Sequence, residues 1–78
     1  MERSNYKVEI LEHIATISVD KEGWTKELNL VSWNDNEPVF DLRNWDCRHN
    51  NTSRGITLSA SELVLLKDVL NLMDIQVE

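Results

Sequence analysis

The chain has 78 residues, a net charge of −6 and 41% hydrophobic residues, which indicates one small folded domain and excludes wholesale disorder. Its single cysteine excludes an internal disulfide, and its two histidines form no zinc-binding pattern. No apolar run is long enough to span a membrane, and the N-terminal segment lacks a secretion pattern, so a cytoplasmic chain is expected. We expect one domain over residues 1–78, with residues 1–5 and 74–78 frayed.

Alternation of apolar and polar residues predicts the first two strands. Residues 6–19 form the first strand, and a change of phase near residues 11–14 predicts a β-bulge or a bend. Residues 20–23 form a turn that ends at Gly23, which suits a positive φ. Residues 24–33 form the second strand, and turn-forming residues follow before Pro38.

The third strand, residues 39–45, has two distinct faces. Phe40 and Leu42 share the face that we expect to pack in the core. Arg43 and Trp45 share the opposite face, and Trp33 of the second strand has matching parity. We therefore expect Trp33, Arg43 and Trp45 to lie on one surface.

A polar loop over residues 46–53 leads to a fourth strand over residues 54–58. Ser59 and Glu62 match a capping box, which predicts a helix that continues to Met73. Four strands followed by one C-terminal helix (ββββα) predict the fold class α+β, with one curved four-stranded sheet. The helix has more apolar side chains than one such sheet covers, which predicts a homodimer through this helix. The alternative is a helix buried within its own domain.

The charge distribution bears on possible ligands. A net charge of −6 argues against a nucleic-acid partner, but residues 43–54 contain three arginines, one aspartate and one histidine. Aromatic rings beside cations suit single-stranded nucleic acid, because bases stack on the rings and phosphates contact the cations. The candidate residues are Trp33 and Trp45 for stacking, and Arg43, Arg54, Lys26 and Arg48 for phosphate.

Each candidate also has a structural explanation. Tryptophan in a small domain is commonly a core residue. Arg43 can pair with Asp41, which would also orient it towards a ligand. Gly55 permits a close approach of backbone, either to a neighbouring strand or to a ligand. Surface solubility explains Lys26 and Arg48 equally well.

Three segments in this order resemble the PC4-like (positive cofactor 4, transcriptional coactivator p15) single-stranded-DNA-binding family. They are WTKELNLVSWN (residues 24–34), DLRNW (41–45) and RGITL (54–58), the last directly before the capped helix. The closest likeness is to short bacterial members of the YdbC type, over about residues 7–73. Unlike the animal members, this chain has a single aromatic residue after Arg43 and an acidic turn at residues 34–37.

The resemblance implies a curved four-stranded antiparallel sheet followed by one helix. It also implies dimerisation through the helices and adjoining strands, with single-stranded DNA held over the two sheets. By position it assigns Trp33, Arg43, Trp45 and Arg54 to the DNA surface. The preferred hypothesis is a sequence-tolerant, coactivator-like DNA-binding protein of transcription, replication or repair. The alternatives are an acidic protein-interaction adaptor, or single-stranded RNA binding on the same fold, because stacking does not read the 2′-hydroxyl. Neither catalysis nor a cofactor is expected.

Overall fold

The structure, a computed structural model, describes residues 7–77. Four antiparallel strands form one curved, open sheet in the order β1-β2-β3-β4, and one helix follows. The elements are β1 (Val8–Val19), β2 (Thr25–Trp33), β3 (Val39–Trp45), β4 (Thr52–Leu58) and α1 (Ala60–Leu72). The predicted ββββα architecture is thus confirmed.

The predicted ends of the chain lie partly outside this region. The fraying expected for residues 1–5 falls outside the described residues, whereas residues 74–77 follow the helix without regular secondary structure. The helix begins after the predicted capping box: Ser59 Oγ accepts the N–H of Glu62 at 3.1 Å, and Glu62 Oε1 accepts that of Ser59 at 2.7 Å. It ends one residue early, because Met73 is an extended C-cap. No helix within residues 7–77 is long and apolar enough to cross a bilayer.

Short turns follow the first two strands. In the first turn, Asp20 Oδ1 accepts two backbone N–H groups at 2.9 Å, and Gly23 has the positive φ, 90°, expected of it. In the second turn Asn34 and Asp35 have φ values of 53° and 62°. These are the conformations that a type I′ turn requires, and short polar residues adopt them at low cost.

The edge strand β1 pairs irregularly with β2. Its register shifts three times, between Ile10 and Glu12, between His13 and Ala15, and between Thr16 and Ser18. The first two shifts overlap the predicted bulge region, and the third was not predicted. Each shift bends the strand and rotates the side chains that follow it.

The strands β3 and β4 approach each other closely at Gly55. β4 begins at Thr52, two residues before the predicted start, and Gly55 pairs with Arg43. A Cβ atom built on Gly55 would overlap the Cβ of Arg43 and the carbonyl oxygen of Leu42. The glycine therefore serves the contact between strands, which was one of its two predicted roles.

We expect Gly55→Ala to lower the free energy of unfolding by about 1–3 kcal/mol or more. The new methyl group would overlap the Cβ of Arg43 and the carbonyl oxygen of Leu42, and neither of these is a flexible side-chain end. Urea unfolding followed by circular dichroism measures the loss. The matched control is Thr57→Ala, an exposed position on the same strand, for which β-propensity predicts a loss within about 1 kcal/mol. Equal losses in the two variants would contradict this account of Gly55.

The sheet has the two faces that alternation predicted. The helix face carries the side chains of Lys26, Leu28, Leu30, Phe40 and Leu42. The polar face carries those of Glu27, Asn29, Val31, Asp41, Arg43 and Trp45.

Burial on these faces differs from the expected pattern. Phe40 and Leu42 are only half-buried, whereas the fully buried apolar side chains, Val31 and Trp45, lie on the polar face. The expectation that Phe40 and Leu42 define the buried core was therefore wrong for this chain. The reason is that α1 contacts only β3 and β4. It leaves an apolar cleft of about 380 Å³ between the helix and the sheet.

Candidate nucleic-acid interface

An aromatic side chain and two arginines meet beside strand β4. The guanidinium carbon of Arg43 lies 4.6 Å from the centroid of the Trp33 ring, a cation–π distance. These two side chains, with Thr52, Ser53 and Arg54, line an open concavity of about 510 Å³. The structure therefore brings Trp33, Arg43 and Arg54 together, as predicted.

Arg43 is held in place by a buried carboxylate. Its Nε donates to both carboxylate oxygens of Asp41, at 2.8 and 3.0 Å, and its Nη1 donates to the Ser53 carbonyl at 3.4 Å. The Asp41 side chain is 0% exposed and that of Arg43 is 14% exposed. The predicted alternative, an Arg43–Asp41 pair, is thus present. It fixes the guanidinium against Trp33 and offsets much of its charge.

A second concavity extends the cationic region. Lys26 belongs to the helix face of β2. Even so, it lines a concavity of about 360 Å³ together with Arg43, Arg54 and Gly55. Arg54 borders both concavities and is exposed on the edge strand β4. Lys26, Arg43 and Arg54 thus all line this concavity, although the side chains of Lys26 and Arg43 belong to opposite faces of the sheet.

The exposure of Trp45 differs from the prediction. It lies on the same face as Arg43, but it is only 2% exposed and does not line the concavity. Loop 46–51 covers it, and the His49 imidazole stacks on the indole with the ring centroids 5.6 Å apart and an interplanar angle of 25°. The expectation of an indole open to a base was wrong for this conformation, because alternation identifies a face but not a loop that covers it.

Loop 46–51 has a defined internal structure. The Asp46 N–H donates to the Asn51 carbonyl at 3.0 Å, and the His49 N–H donates to the Asp46 carbonyl at 2.9 Å. Hydrogen bonds from the Asn51 side chain and from nearby backbone N–H groups hold the pKa of Asp46 below its ordinary value. Arg48 is exposed in this loop and lines neither concavity. It is therefore separate from the other candidate cations.

A buried polar cluster that was not predicted from the sequence anchors this loop. Glu27 is 4% exposed. Its Oε2 accepts from Thr25 Oγ1 at 2.5 Å and lies 2.8 Å from His49 Nε2. Its Oε1 accepts from Asn29 Nδ2 at 3.0 Å and lies 3.5 Å from His13 Nδ1. A buried carboxylate with this many partners is a structural tie between β1, β2 and the loop.

The ionisation of Glu27 follows from these contacts. Burial raises its pKa, but hydrogen bonds from Thr25, Asn29 and His49, together with the charge of His49, outweigh that effect and hold the pKa below its ordinary value. A sequence signal for the cluster did exist, because Glu27 and Asn29 have the same parity as Val31 on β2.

His13 completes the cluster at the exposed edge of the sheet. Its Nδ1 lies 2.7 Å from Asn29 Oδ1, and since a carbonyl oxygen only accepts, Nδ1 is the donor. In a neutral ring Nε2 then accepts from Thr16 Oγ1 at 3.1 Å. Within residues 7–77 no three His, Cys, Asp or Glu side chains are placed to hold a metal ion.

Fold and site together define a small ββββα protein with an aromatic and cationic concavity beside its last strand. No protein-family model matches the chain. An uncharacterized protein of Treponema pallidum (strain Nichols) is 32% identical over 71 residues, which cover 91% of this chain and 84% of the other. The chain belongs to the family of that protein. The name of the Treponema protein states no activity, so that protein supplies no function for this chain.

Proposed function

We propose that this protein binds single-stranded DNA without strong sequence preference, as a coactivator-like protein of the PC4-like type. It acts in the cytoplasm, on strands exposed in transcription, replication or repair. The observation that carries the proposal is the concavity in which Trp33, Arg43 and Arg54 meet. Stacking of a base on an aromatic side chain contributes about 1–3 kcal/mol whatever the base. The proposed role is therefore binding.

The residues have different roles in this site. Trp33 is half-buried and supplies the stacking surface. Arg54 and Lys26 are exposed and contact phosphates. Arg43 mainly positions the Trp33 ring, because Asp41 engages its Nε and neutralises much of its charge. Since the whole chain is acidic, phosphate attraction is confined to this region, and the affinity is modest and sensitive to salt.

We propose further that the protein is a homodimer through α1. The helix has no buried residue, and only Leu63 is half-buried. Its exposed apolar side chains are Val64, Leu65, Leu66, Val69, Leu70 and Leu72. The Cα radius of gyration is 14.2 Å, larger than the roughly 11.5 Å of a compact domain of this length. A second copy would cover these side chains and link two DNA sites, which raises the effective affinity for longer strands.

Fluorescence polarisation of labelled oligo-dT at low salt tests the DNA proposal. We expect Trp33→Ala to weaken binding by roughly 5- to 150-fold, the loss of one stacked base. We expect Arg54→Ala to reduce the slope of log affinity against log salt by about 1. Lys21→Ala is the control for removal of a cation outside the site. Absence of wild-type binding at tens of micromolar protein would contradict the proposal.

The same assay separates the alternatives. Tighter binding of oligo-U than of oligo-dT favours the single-stranded RNA function. An acidic adaptor is favoured if oligonucleotide binding is lost in 0.2 M salt while a protein partner remains bound on pull-down. The exposed apolar helix is the observation that supports this second function.

A further inference from the structure

The imidazole of His49 stacks on the indole of Trp45. The two rings are nearly parallel, and their centroids are 5.6 Å apart. This is the offset stacking that flat rings prefer. Thr52 pairs with Trp45 across β3 and β4 and also lines the Trp33 concavity. An uncovered Trp45 would therefore adjoin the proposed DNA site.

The covered arrangement has two unfavourable features. Trp45 Nε1 is buried without a hydrogen-bond acceptor among residues 7–77, and burial of an unsatisfied donor costs free energy. His49 also has a φ of 59°, a left-handed conformation that is unfavourable for a residue with a side chain. The hydrogen bond between His49 and Glu27 opposes both effects and keeps the loop closed.

We propose that loop 46–51 is a cover for a second stacking site, and that single-stranded DNA displaces His49 from Trp45 and takes its place. This inference rests on the proposed DNA-binding function. Opening the loop gives the indole N–H access to a phosphate or base oxygen and lets His49 leave its left-handed conformation. His49 is thus a competitor of the ligand, and Glu27 sets how strongly it competes.

A disulfide can hold the cover closed. The Cβ atom built on Gly23 lies 3.7 Å from the Cβ of Cys47, close to the mean of about 3.8 Å found in disulfides. Gly23→Cys would therefore tether loop 46–51 to the turn between β1 and β2. Cysteine is strained at the φ of 90° found there. Gly23→Ser is the matched control, because it carries the same strain but forms no bond.

We expect oxidised Gly23→Cys protein to bind oligo-dT at least about tenfold more weakly than the same protein after reduction, since only the open fraction of molecules binds fully. Oxidant should not change binding by Gly23→Ser. In protein labelled with fluorotryptophan, the ¹⁹F signal of Trp45, assigned with Trp45→Phe, should shift when oligo-dT is added to the reduced protein and stay in place in the locked protein.

His49→Ala tests the competition without a disulfide. We expect it to bind oligo-dT several-fold more tightly than the wild type, whereas His13→Ala, which alters the same cluster but does not stack on Trp45, should not bind more tightly. Equal binding by the locked and reduced proteins, with the disulfide verified by mass, overturns the cover while wild-type DNA binding stands. If the wild type, His49→Ala and reduced Gly23→Cys all fail to bind oligo-dT, the proposal of DNA binding is wrong, and the proposal that loop 46–51 is a cover is then wrong as well.

Discussion

Arg43→Met is expected to lower the free energy of unfolding by about 3–5 kcal/mol, because it leaves a buried carboxylate without its cation. Asp41 is fully buried, and Arg43 Nε is 2.8 Å from its nearer oxygen. A loss of this size is a large part of the roughly 5–15 kcal/mol that stabilises a typical domain. Urea unfolding followed by circular dichroism measures it.

A double variant distinguishes the effect of leaving the Asp41 carboxylate without its cation from the effect of losing the packing of the Arg43 side chain. Asp41→Asn combined with Arg43→Met removes both charges, and we expect it to recover at least half of the loss. Arg54→Met is the matched control at an exposed arginine, with an expected change within about 0.5 kcal/mol. A double variant as unstable as Arg43→Met would show that the charge pair is not the cause. If an Arg43 variant loses DNA binding, its free energy of unfolding must therefore be measured too, because a loss of stability would also reduce binding.

Leu65→Asp is expected to convert the proposed dimer to a monomer. Leu65 is 64% exposed and does not line the cleft of its own protomer, so the change should spare the monomer fold. In a two-fold symmetric interface the substitution removes a buried leucine from both copies. At about 1.5–3 kcal/mol per leucine, the dimer dissociation constant rises by at least about 100-fold.

Sedimentation velocity over a range of protein concentrations measures this change. Asn36→Asp adds the same charge at an exposed turn position outside the helix and should remain a dimer. Circular dichroism of Leu65→Asp confirms that its fold is kept. A wild-type protein that sediments as a monomer at every concentration would contradict dimerisation through α1, whatever the variant does.

Local patterns predicted most of the fold, because each depends on few neighbours. Period-two alternation placed Arg43 and Trp45 on one face, and the Ser59–Glu62 capping box marked the helix start. The sequence could not predict burial of Trp45, because that depends on a contact between His49 and Glu27, 22 residues apart. The early start of β4 also depends on contacts between strands, since Thr52 pairs with Trp45 and its Oγ1 donates to the Asn44 carbonyl.

The irregular register of β1 also limits how copies of this protein can assemble. An open sheet leaves two edge strands whose free N–H and C=O groups could pair with another chain and extend the sheet without limit. The three register shifts of β1 interrupt the even spacing that such pairing needs. At the other edge, the exposed Arg54 side chain of β4 places like charges together if two such edges approach. Both edges therefore disfavour fibril-like growth, which leaves the apolar helix as the surface for a closed assembly.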